Sequence, residues 1–190
     1  TYRFTKNSIG YTTQSLVRFL NTGSFFTSSG ALLANLVAVS GSTTATSTVN
    51  LYVNPINEIS SSPMTLSISG VNIFDGDKWY VSFGRQRNDD NLNSRISSSY
   101  HLRVSKQNYG EILESFTTQS YFNEIASSGA PCVWNKQETT NPSGSLFVIG
   151  SASINTSLAA YLNNWALPSI YRSTFFAGKV SQIRFWSKLL

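Results

Sequence analysis

The stretch KWYVSFGRQ, residues 78 to 86, places Trp79, Val81 and Phe83 on one side of an extended chain, with Tyr80, Ser82 and Arg85 on or toward the other. SYHLRVSK, residues 99 to 106, repeats the pattern, with Tyr100, Leu102 and Val104 alternating with His101, Arg103 and Ser105. Period two gives each segment one buried and one wet face, the signature of a strand in an antiparallel sheet. Seven more short runs carry strand signals: residues 15–21, 31–40, 48–55, 64–72, 110–118, 145–152 and the closing stretch 175–190. Nine strands fit one two-layer β domain spanning residues 1–190.

Turn chemistry separates the runs. Asp75-Gly76-Asp77 predicts a reversal, because Gly tolerates positive φ and an Asp carboxylate bonds nearby backbone N–H groups. Residues 40–49 and 127–131 read as loops, and 85–99 as a longer polar connection rich in Arg, Asp and Asn. Two segments read as short helical insertions on this framework. In residues 157–165, Leu158, Tyr161, Leu162 and Trp165 fall on one helical face before Pro168, and residues 121–128 have room for a turn or two.

Composition agrees with strands. Charged residues are only 12 %, about half the usual share, while 32 Ser, 17 Thr and 17 Asn carry the polar load. The net charge of +5 arises from 14 Lys and Arg against 9 acids, but the cations are spread along the chain and form no block, so no nucleic-acid partner is expected. The lone Cys132 excludes an intrachain disulfide and a cysteine-rich zinc site. No apolar run approaches the roughly 18 residues of a membrane span, so no membrane insertion is expected. A start without Met or signal peptide and an abrupt end at Leu190 predict a segment of a longer polypeptide.

Three phrases carry a resemblance. FDGDKWYVSFGRQ (74–86) resembles the "DG-x-W-hydrophobic-x-hydrophobic" strand of concanavalin A-like domains of the laminin G and pentraxin type. SLFVIGSA (145–152) resembles their later "L-x-hydrophobic-G" strand, and FFAGKVSQIRFWSKLL (175–190) their closing segment. The resemblance covers roughly residues 74 to 190; the first 70 match in strand count alone. It implies a jelly-roll sandwich of two antiparallel sheets whose relatives bind glycans or proteins. At the level of wording, WYVSFGRQRND, SSSYHLRVSKQ and GKVSQIRFWSK are similar to domains of virion structural proteins of marine tailed phages. That implies location on a virion, as a capsid decoration or tail-fibre module, with other virion subunits or copies of itself as partners. The alternative it leaves is a lectin-like adhesion domain recognising host surface glycans, with polysaccharide hydrolysis more remote.

Each site candidate is weighed against an ordinary structural role. Retaining glycoside hydrolysis needs two carboxyls about 5 to 5.5 Å apart. Glu111 and Glu114 are the nearest pair, and their odd spacing sets them on opposite faces of a regular strand; the family's Glu-x-Asp-x-x-Glu arrangement is absent. No enzyme is expected. His101 reads as a surface histidine and Cys132 as a small apolar filler. Asp89 and Asp90, with Asn91 and Asn93, form the one oxygen-rich cluster that would suit Ca2+, but Arg85, Arg87 and Arg95 flank it, so local Arg–Asp pairing is the better reading and no cofactor is expected. A glycan site would draw on Arg87, Asp89 and Asn91 in the polar connection and on Tyr161, Asn163, Asn164, Trp165 and Tyr171 in the late insertion. In the closing stretch, the step from Val180 to Ile183 breaks alternation and predicts a β-bulge near Ser181 and Gln182, with Arg184 pairing or covering a neighbour.

Overall fold

The computed structural model describes residues 1–4, 13–21, 32–41, 46–53, 64–87, 97–123, 145–149 and 176–185. These residues form ten strands and no helix: β1 Tyr2–Phe4, β2 Thr13–Asn21, β3 Leu32–Val39, β4 Ser47–Val53, β5 Met64–Val71, β6 Lys78–Arg87, β7 Ser97–Asn108, β8 Glu111–Asn123, β9 Ser145–Ile149 and β10 Gly178–Val180. Each of the nine anticipated runs contains a strand, though the closing run 175–190 pairs only over Gly178–Val180. The addition is β1, three residues long and too short to show a period in sequence. Residues 157–165 lie outside the described residues, whereas Tyr121–Asn123, read as the start of a helical turn, continue β8 because they pair with Ser97–Ser99.

The strands make a β-sandwich of two five-stranded antiparallel sheets, one ordered β10-β1-β6-β7-β8 and the other β5-β4-β3-β2-β9. Their facing stripes supply one core. Trp79, Leu102 and Val104 come from the first sheet, Leu36, Val49, Leu51 and Leu66 from the second, and all are buried. At roughly 1.5–3 kcal/mol per buried side chain of this kind, these alternating positions are the main source of stability. Around β1, Phe4 packs edge-on against Phe74 and Phe176 with ring centroids 5.1 and 5.7 Å apart, a geometry that aligns ring edges with ring faces.

Two irregularities aim side chains. In β2 the register slips between Ser15 and Val17, so Leu16 and Val17 both enter the core while Ser15 and Arg18 share the opposite face. There Arg18 Nε and Nη2 donate to Ser15 Oγ at 3.1 and 2.8 Å. In β5 the extra residue is Gly70, at φ 75, which lets Val71 return to the core. The central strands β2, β3 and β4 are buried on both faces: besides the core stripe, Arg18, Val37, Asn50 and Tyr52 are buried on the other side.

Arg85 departs from the expected placement. It shares the parity of Trp79, Val81 and Phe83, and it lines the space between the sheets beside Phe83 and Tyr100. The closing stretch departs too. Pairing ends at Val180, and Gln182, at φ 54, turns the chain away. The break in alternation therefore marks the end of the strand, and no bulge within it. Only Ser181 N continues the ladder, donating to Thr1 O at 3.0 Å.

Candidate functional site

The turn that precedes β6 is the most heavily bonded polar feature among the described residues. Gly76, at φ 86, lets the chain reverse, and Asp75 Oδ1 accepts from Asp77 N at 2.8 Å, as the Asp-Gly-Asp spacing predicts. The same oxygen accepts from Trp79 Nε1 at 3.0 Å, which satisfies the indole of a fully buried side chain. From β7, Lys106 Nζ donates to Asp75 Oδ2 at 2.8 Å and to Asp77 Oδ2 at 2.6 Å, and stands 5.8 Å from the Trp79 ring centroid. Burial resists ionisation of Asp75, but the bonds from Lys106, Trp79 and the Asp77 amide outweigh it and hold the carboxyl below its ordinary range. The two carboxylates hold Lys106 well above the ordinary lysine range. Both oxygens of Asp75 and the Lys106 ammonium are engaged from within, so the cluster is a clasp that ties the end of β7 to the turn opening β6.

A second feature faces outward. β8 is the last strand of its sheet, thirteen residues long, and β7 is its one partner among the described residues. Tyr109 and Gly110 form the β7–β8 turn with φ 48 and 89, a pair of left-handed residues suited to a two-residue hairpin. Tyr109 is 100 % exposed, and Ile112, Leu113 and Tyr121 are each more than half exposed. Phe116 is half-buried and packs against the core, so β8 is anchored by one side chain while its neighbours meet water.

The hairpin corrects the expectation for Glu111 and Glu114. Glu111 pairs with Asn108, Ile112 with Gln107 and Glu114 with Lys106, so Leu113 is an extra, bulged residue. Asn108 and Lys106 lie on one face of β7, and the bulge therefore brings Glu111 and Glu114 to the same face. Parity in sequence misses this because one inserted residue reverses it. Both carboxylates are exposed.

Of the glycan-site candidates, Arg87 ends β6 opposite Ser98, while Asp89, Asp90, Asn91, Tyr161, Asn163, Asn164, Trp165 and Tyr171 lie outside the described residues, as does Cys132. Asp89 and Asp90, the weak calcium candidates of the sequence, are among the residues not described. His101 stands on the outer face of β7 with its imidazole over Gly84, where a Cβ would lie 2.6 Å from His101 Cε1. Arg184 is exposed and, among the described residues, forms no ion pair. Between the sheets lies an apolar cavity of about 190 Å³, with Ala34, Leu51 and Val53 facing Phe83, Arg85 and Tyr100.

Comparison with family models, with curated proteins and with solved structures finds no match to this chain.

Proposed function

We propose that this chain is a concanavalin A-like jelly-roll domain that serves as a non-enzymatic interaction module of a tailed-phage virion, joined to a second copy of itself through β8. The observation that carries the assembly role is the edge itself: thirteen residues with no neighbour on one side among the described residues, bearing exposed Ile112, Leu113 and Tyr121. Soluble sandwiches usually protect such an edge with lysine or proline, and β8 contains neither. Its only charges, Glu111 and Glu114, sit at one end. In an antiparallel two-fold pair the acidic ends lie far apart, and Leu113 comes opposite Tyr121 when Thr117 meets its own copy.

The jelly-roll reading is supported by where the motif segments fall. The Asp-Gly-Asp-Lys-Trp segment (Asp75 to Trp79) leads into β6 and the closing segment supplies β10, and these two strands flank β1 in one sheet. The non-enzymatic reading is supported by the exposure of Glu111 and Glu114, since a glycosidase acid sits where burial disfavours its charge.

Sedimentation of the intact chain over a range of concentration tests the assembly role, with Thr117→Lys as the variant because Thr117 is exposed and lies at the two-fold. The proposal expects a dimer that Thr117→Lys converts to a monomer with its melting temperature kept. A native chain that stays monomeric at every concentration, or a dimer indifferent to Thr117→Lys, overturns it.

A further inference from the structure

The pairing of β10, β1 and β6 sets Lys179 directly opposite Arg3, and Arg3 directly opposite Lys78. The flanking positions Tyr2, Val180 and Trp79 face the core, so all three cations stand on the outer face, and all three are exposed. Neighbouring strands are about 4.8 Å apart, and like charges placed directly opposite destabilise a sheet. Among the described residues no carboxylate pairs with them. Of the four acids among the described residues, Asp75 and Asp77 are held by Lys106, and Glu111 and Glu114 lie on β8 at the far edge of the sheet. Arg3 Nε donates to Gly76 O at 2.8 Å, which steadies the guanidinium while leaving its outer nitrogens for a ligand. A row of uncompensated charge costs stability, and such costs are kept where a surface is used.

Farther along the same face, Ser82 pairs with Arg103, in a field of hydroxyl and amide groups with no acid among the described residues. We infer that this outer face binds a polyanionic polysaccharide, the cation row taking sulfate or carboxylate groups and the hydroxyl and amide side chains taking sugar hydroxyls. Charged groups on successive sugars of an extended chain recur at an interval close to the strand spacing. The face favours a glycan over other polyanions. The row has no aliphatic side chain to form the dry centre of a protein interface, and its three cations with Arg103 are few for a nucleic-acid track. This site is separate from the β8 edge.

Binding of the intact chain to dextran sulfate over a series of salt concentrations tests the inference, with unsulfated dextran, single-stranded DNA and polyglutamate as comparisons. The variant is Lys78→Ser with Lys179→Ser, both at exposed positions on the outer face. Dextran sulfate is expected to bind at low salt, and the double variant to bind about tenfold more weakly or less, with the slope of log affinity against log salt reduced by about two. The inference is overturned if dextran sulfate does not bind, if the double variant binds with the native slope, or if unsulfated dextran, DNA or polyglutamate binds as tightly.

Discussion

Lys106 reaches across from the C-terminal end of β7 to bond Asp75 at 2.8 Å, tying it to the turn that begins β6. Asp75 is 13 % exposed and Asp77 55 %, so the two carboxylates that share this lysine are unequal. Asp75→Ala leaves the buried Trp79 indole without its acceptor and Lys106 with Asp77 alone, and is expected to cost about 1–3 kcal/mol. Asp77→Ala removes a solvent-screened partner and is expected to cost under about 1 kcal/mol. Urea unfolding of the two variants checks the ranking, and equal losses would refute it.

The same groups set the pH range of stability. Asp75 is held below its ordinary pKa in the fold, so its contribution is present above the unfolded value of about 3.9 and is lost as pH falls through the folded value. Lys106 is raised by Asp75 and Asp77, and Tyr2, whose hydroxyl donates to Leu16 O at 3.3 Å, is raised by burial. Their contributions are present below unfolded values of about 10 and are lost as pH rises through the folded ones. The urea midpoint should therefore fall on the acid side below about pH 4 and on the alkaline side above about pH 10. Asp75→Asn should flatten the acid limb and Tyr2→Phe soften the alkaline one.

At Gly178, paired with Phe4, β10 lies tight against β1. A Cβ there meets the Arg3 carbonyl oxygen and lies 2.8 Å from Phe176 Cζ. Because the first obstacle is backbone, Gly178→Ala is expected to cost about 1–3 kcal/mol and to loosen the β1–β10 pair. Faster amide hydrogen exchange at Tyr2–Phe4 than at β7 would show it. Unchanged exchange would mean that the strand shifts to make room.

Lys78→Gln removes one of two like-charge oppositions borne by Arg3. It is expected to stabilise the fold by about 0.2–1 kcal/mol at low salt, with the gain shrinking as salt is added. A loss of stability would show that the lysine stem contributes more by packing than its charge costs.

Deleting Leu113 removes the bulge while keeping Ile112 opposite Gln107 and Glu114 opposite Lys106 in order. In the proposed pair Leu113 stands opposite Tyr121, so the deletion removes an exposed apolar contact and is expected to weaken self-association about tenfold, an effect of roughly 1.4 kcal/mol that sedimentation would detect. Unchanged or tighter association would place Leu113 outside the contact.

The chain's own alternation was enough to determine the strands. Trp79, Leu102, Val104 and Leu66 fall at period-two positions, and burying them on one side requires sheets. The Asp-Gly-Asp turn was legible for the same local reason, since Asp75 bonds an amide two residues away. What tertiary structure decided are the relations that depend on register. Lys106 finds Asp75 thirty-one positions away, and Arg3 lies between Lys78 and Lys179 because the first and last strands pair. Glu111 and Glu114 share a face because Leu113 is bulged. Pattern along a strand reports which side of a residue is buried; it carries no information about which strand lies alongside, and charge opposition and edge exposure are properties of that neighbour.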